Sequence, residues 1–340
     1  MMEWVMFLYY IRMNQHSGNM RMIIFSAMLL LLSGESFCQV IPREYFVLIN
    51  RADSLYNALQ YKSSASAYSE AFAINNSRVK TGTRYDAACS WALAGNADSA
   101  FAQLLCAGVR SEYTDYAHIA TDPDLNSLHS DSRWEPLLGI IKRNWEQATA
   151  TLNKQLVILL DSIFEDDQHY RQQLEGVTAK FGGNSREVKE LWSIIRIKDS
   201  GNLIRVEAIL NEYGWPGKAI VGIRGTQTLF LVIQHAPLIV QEKYLPGMRD
   251  AVSRGKAYGS ELALLEDRVA LGEGRKQLFG SQIKGDPTTN KYYVCPLEDP
   301  DHVDIRRAEM GLDPLEFYVA KWQIKWDVEE YKKELREPGK

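Results

Sequence analysis

This chain is poor in cysteine, carries no excess of basic residues, and has no apolar run at its start long enough to cross a bilayer. The uninterrupted run from Met22 to Leu32 falls well short of roughly 30 Å of hydrocarbon, so the mature chain is expected to hold no membrane span. Lys and Arg number 39 against 43 Asp and Glu. They are scattered rather than striped, which argues against nucleic acid as a partner. The four cysteines show no spacing that resembles a zinc site. There is no His-x-x-x-His pair, no serine in a strained elbow and no glycine-rich phosphate loop, so no metal or cofactor is implied. Any chemistry would need water or a substrate group as its nucleophile.

What is present begins with a leader. Arg21 supplies a positive charge, Met22 to Leu32 is the apolar stretch, and Ser33-Gly34-Glu35 breaks it before Ser36-Phe37-Cys38. Small residues at the two positions a signal peptidase reads predict a signal peptide over 1–38, with cleavage between Cys38 and Gln39. Met20 is already a complete start, which makes the preceding residues an over-extended beginning. Bulky Phe37 argues against a lipid on Cys38. The expected location is the periplasm or cell surface, where Cys89, Cys106 and Cys295 remain. Being odd in number, they allow at most one internal disulfide. Cys89 and Cys106 are the pair to consider, with plain helix packing as the alternative.

Residues 39–148 contain a repeat. Ala52, Leu55, Ser64, Tyr68 and Ala71 recur at one constant offset as Ala88, Trp91, Ala100, Leu104 and Ala107. The unit is two helices, with small residues where they approach and large ones filling the gaps. The stretch Tyr85 to Gly95 resembles a tetratricopeptide repeat, although the spacing is slightly long and the terminal proline is missing. A helix from Trp134 to Trp145 is expected to supply a third layer, entered through the Asp122 to Trp134 turn. His118 and His129 read as structural. The resemblance implies a groove for a peptide or protein partner.

A second, helical domain is predicted over 149–328, followed by a charged, solvated tail over 329–340. Helical spacing runs from Leu152 to Leu174, with Asp167 and Arg171 four apart on one helix. Further helices are expected over about Ser185 to Ile197 and Asn202 to Glu212, the latter stopped by Gly214-Trp215-Pro216. Thr226 to His235 reads as a buried helix and Tyr244 to Val252 as another, with Pro246 at a first turn or kink. Glu261 to Leu271 follows, with Asp267 and Arg268 on the face of Leu264 and Leu271. Gln277 to Ile283 and Tyr292 to Pro296 read as a β-hairpin, and Val303 to Met310 and Leu315 to Trp326 as the last helices. The fold class is therefore mainly α: tetratricopeptide-like repeats, then a helical domain with a small β-hairpin.

Asp167-Gln168-x-x-Arg171, Gly214-Trp215-Pro216, Gln234-His235, Leu262 to Arg268, Gln277 to Gln282, Pro296-Leu-Glu298 and Arg306 to Leu312 resemble, in the same order, a bacterial family known only as a domain of unknown function. That family implies no activity. The residue types suggest His235 as a general base with Asp267 fixing its tautomer. Arg268 or Arg307 would hold an anion, Gln234 and Gln282 would orient a carbonyl or hydroxyl, and Asp167, Gln168, Arg171, Trp215 and Gln277 would complete a ligand site. The alternative is a satisfied polar network locking helices to the hairpin. Two classes of function stay open: an exported interaction module, and an exported hydrolase- or transferase-type enzyme.

Overall fold

The computed structural model describes residues 41–75, 79–110, 113–286 and 291–336. The expected leader and its cleavage site lie outside them. The described chain is mainly α, with a single two-stranded antiparallel sheet among the described residues. No described helix is long and apolar enough to cross a membrane.

Two helical hairpins come first: α1 Arg43–Asn57 with α2 Tyr61–Asn75, and α3 Thr81–Leu93 with α4 Ala97–Arg110. The small residues of the repeat lie where these helices touch, for Ala52, Ser64, Ala71, Ala88, Ala100 and Ala107 are all buried. Ser64 shows how close the approach is. Its hydroxyl donates to the Ala52 carbonyl at 2.8 Å and lies 3.0 Å from the Ser90 hydroxyl, so three helices meet at one side chain. Asp115 caps the short α5, Tyr116–Thr121, and Asp122 caps the 3-10 turn Pro123–Leu128. Leu125, Leu128 and Trp134 then pack with α6, Trp134–Thr149, against the second hairpin. His118 stacks on Tyr85 and His129 on Trp134, as structural histidines do. Cys89, Cys106 and Cys295 are all free.

The remaining helices are α7 Lys154–Arg171, α8 Leu174–Phe181, α9 Arg186–Tyr213, α10 Lys218–His235, α11 Leu238–Ser253 and α12 Gly259–Gly272. Their core gathers Leu160, Ile163, Val206, Leu229, Met248 and Leu265. Gly225 lets α7 and α10 approach closely: a Cβ there would lie 3.2 Å from Leu160 Cδ1 and 2.8 Å from Val221 Cβ. Gly214 has φ 64, a left-handed value that ends α9, and Trp215 then plugs the core.

Several expectations are corrected. The two helices expected around residues 185 to 212 are one continuous α9. The stretch left between them, 198–201, is helical, and Lys198–Asp166 and Arg171–Asp199 ion pairs, each 2.7 Å, tie it to α7. Of the two placements expected for Pro246, a first turn or a kink, the first does not hold: it sits inside α11. The hairpin is shorter than expected: β1 Ile283–Gly285 pairs with β2 Tyr292–Val294, and the residues before β1 serve a different purpose described below. Val303–Glu309 forms α13, but α14 stops at Leu315–Val319 before a 3-10 turn, Ala320–Trp322. The expected solvated tail is helical over its described part, α15 Val328–Arg336. Tyr331 is only 8 % exposed, and its hydroxyl bridges the Cys295 carbonyl and the Leu297 amide.

The repeat layer touches residues 313–317, around the start of α14. Phe46 stacks on Phe317 at 5.7 Å, Arg43 pairs with Glu316, and Lys80 Nζ lies 2.9 Å from Asp313.

Candidate functional site

The polar residues singled out in the sequence separate into two groups. The first is a clamp on the loop between α12 and β1. Asp267, wholly buried, accepts the backbone N–H groups of Leu278 at 2.6 Å, Phe279 at 2.9 Å and Ser281 at 2.8 Å. The carbonyls of the same loop are taken from the other side. Arg306 donates to Leu278 O, Arg307 to Phe279 O and the Tyr318 hydroxyl to Ser281 O. Gln277 completes the fastening: its amide donates to the carbonyls of Gln282 and Cys295 and accepts the Gln282 N–H. A short loop with nearly every peptide group held in this way is rigid, because each bond that breaks leaves a buried group unsatisfied.

The role expected for Asp267, orienting His235, is therefore corrected: its oxygens are committed to the loop backbone. Burial pushes this carboxyl above its ordinary value, against the three N–H donors that favour the anion. Arg307 is also clamp rather than ligand site. It is almost fully buried, bonds Asp313 O and Phe279 O at 2.6 Å each, and lies over the Tyr318 ring. Gln277 and Gln282 belong to the same clamp, and Trp215 to the apolar core.

The second group lies where α7, α9, α10 and α12 converge. Asp167 Oδ1 is 3.0 Å from His235 Nδ1, and its Oδ2 accepts the Gln168 amide at 2.7 Å. Arg171 donates to Asp199 at 2.7 Å, and its Nε lies 3.6 Å from Asp167 Oδ2. The same Nε is 3.3 Å from His235 Nδ1. Nδ1 cannot donate to Asp167 and accept from Arg171 at once. The carboxylate contact is shorter and joins an obligate acceptor, so we assign the proton to Nδ1. That leaves His235 Nε2 without a partner among the described residues, on a side chain 18 % exposed. Burial acts to raise the Asp167 carboxyl, but the His235 bond and charge, Arg171 and Gln168 together hold it below its ordinary value.

Arg268 closes the cluster from α12. It donates to Gln234 O at 2.8 Å. Burial, and then the nearby Arg171 guanidinium, lower its affinity for its proton. No carboxylate forms an ion pair with it among the described residues. The buried side-chain oxygens of Gln234 and Gln241 have no donor among the described residues, although the Gln241 amide nitrogen holds Gln234 O and Ala236 O.

Asp167, Asp199 and His235 bring potential metal-ligating atoms within 4.8 Å of one another. Arg171 already supplies the positive charge at that point, so a metal ion would have to displace a guanidinium. Cys89, Asp122 and Asp124 form a comparable set. There the Asp122 and Asp124 carboxylates accept the Tyr85 and Tyr56 hydroxyls, and burial keeps the Cys89 thiol protonated.

Sequence reasoning missed Asp199, Gln241 and Tyr318. Asp199 sits in the gap left between two expected helices, and the other two differ in no local way from ordinary helix residues. No curated protein and no solved structure gives a significant match. A family profile does match, over residues 152–328, which includes both the clamp and the ionic cluster; the chain belongs to this family of unknown function (DUF6624).

Proposed function

We propose that this is an exported binding protein whose helical domain holds a small anionic ligand against Arg268 and Arg171. Tetratricopeptide-like hairpins over 39–148 would recruit a peptide or protein partner. The observation that carries the ligand reading is Arg268. A partly buried guanidinium with no carboxylate on it gains from a counter-charge, and the carboxylates of the cluster are engaged by His235 and Arg171 instead. A phosphate or carboxylate would supply that charge through a bidentate contact. Calorimetric titration of the purified protein with inorganic phosphate and with citrate tests this. Binding of at least one of them, lost in Arg268→Gln with the thermal unfolding curve retained, supports the reading. Wild-type protein that binds neither anion overturns it.

The His235–Asp167 pair favours a second reading, an exported hydrolase- or transferase-type enzyme. Nε2 would take the proton of a water or substrate hydroxyl while Asp167 stabilises the imidazolium, in the manner of a histidine–carboxylate pair. Turnover of phosphate or carboxylate esters that vanishes in His235→Gln supports it. The export reading rests on the leader sequence, and N-terminal sequencing of protein from its native host should give Gln39 as the first residue.

A further inference from the structure

Helix α9 buries one side through Leu191, Ile195, Val206 and Ile209 and leaves the opposite side bare along its length. On that bare side Ile197 and Ile204 are each 71 % exposed. They stand two helical turns apart on one stripe, with Ser200 and Gly201 between them. Single exposed isoleucines are ordinary. The glycine is not, because the interior of a long helix is among the least favourable places for it. A Cβ at Gly201 would meet nothing within 4 Å. The fold of one chain gives no reason for its absence, whereas close approach of a second backbone does.

The stripe is complementary to itself. In an antiparallel pair of identical helices related by a two-fold axis, residue i faces residue j and j faces i. With the axis between Ser200 and Gly201, Ile197 faces Ile204 of the second copy, Ser193 faces Ala208, Glu190 faces Asn211 and Lys189 faces Glu212. All these positions are exposed. None of these pairs opposes like charges, and the outermost joins opposite ones twice. Ser200 already donates its hydroxyl to Arg196 O at 2.9 Å, so covering it strands no donor. At the flank Arg196 would lie opposite Arg205, whose guanidinium is turned back onto Asp166 and Asn202. We propose that the protein forms a two-fold dimer through antiparallel packing of α9 about Gly201, with Ile197 and Ile204 as its apolar contacts.

Sedimentation equilibrium of the purified protein tests this. The wild type should show a concentration-dependent dimer. Ile204→Glu should weaken it by at least about tenfold, with the far-UV circular dichroism of the fold unchanged because the position is solvent-facing in the single chain. Gly201→Leu should do the same by filling the crossing point. The discriminating variant is Ile197→Lys combined with Ile204→Glu. Only the antiparallel register sets position 197 against 204, so this double variant should regain the dimer that Ile204→Glu loses. A wild type that stays monomeric overturns the proposal. A dimer indifferent to Ile204→Glu does so too, as does a double variant no tighter than Ile204→Glu alone.

Discussion

His235 gives its Nδ1 to Asp167, at 3.0 Å across helices α7 and α10, and not to Asp267. Residues joined in one hydrogen-bonded network couple energetically, whereas residues that share no partner add. A double-mutant cycle of His235→Gln with Asp167→Asn, read by thermal or urea unfolding, should therefore show a coupling of about 0.5 to 3 kcal/mol. The parallel cycle of His235 with Asp267→Asn should stay within about 0.5 kcal/mol of additivity. A larger coupling in the second cycle would restore the pairing expected from sequence.

Asp167 also has a pH signature. Its folded carboxyl is held below the ordinary 3.8. A depressed folded value contributes stability that is present above the unfolded value and is lost as pH falls through the folded one. Asp167→Asn should thus destabilise the protein at pH 7, and the gap from wild type should narrow below about pH 4. A gap that is constant over that range would place the effect in packing alone.

Asp267→Asn tests the clamp. An amide keeps the shape of the side chain, but one of its two ends becomes a donor facing the backbone N–H of Ser281 or of Leu278 and Phe279. The expected loss is about 1 to 3 kcal/mol of stability, with hydrogen exchange of the 278–281 amides accelerated. Unaltered exchange there would mean the carboxylate is not what holds the loop.

Much of this fold was legible because its signals are local. The paired small residues Ala52 and Ala88, the stop at Gly214-Trp215-Pro216 and the apolar helix ending at His235 each follow from steric rules acting over a few residues. The charged partners were not legible. Which carboxylate meets His235 depends on where α7 crosses α10, and Asp167 lies 68 residues away in sequence. The continuity of α9 was missed for the same reason: the ion pairs from Lys198 and Asp199 to α7 are tertiary, and they lie in the gap left between the two expected helices. Tyr331 sits in a segment so charged that only its contact with the Cys295 and Leu297 backbone shows it to be anchored.

The repeat can be tested where it is most tightly packed. Ala88 and Ala100 are both fully buried between helices. Replacing either with Leu adds methylenes to a filled contact and should cost about 1 to 3 kcal/mol. An unchanged melting temperature in both variants would show that these positions have room that the packing denies.

Glu261 carries the sharpest pH prediction. It lies in the first turn of α12, its Oε2 is buried without a hydrogen-bond partner, and burial raises its carboxyl from 4.5 to about 7. A folded value above the unfolded one means that the native state binds the proton more tightly, so stability from this group is full below about pH 4.5 and falls as pH rises. The loss levels off once pH passes about 7, where both states are ionised. Glu261→Gln is neutral at every pH and keeps the size of the protonated acid. It should match the wild type in mild acid and exceed it in stability at pH 8, by an amount on the order of a few kcal/mol. Chemical denaturation of both proteins across pH 5 to 8.5 gives the difference directly. A variant that is equally or less stable at pH 8 would mean that Glu261 has a partner for its charge in solution.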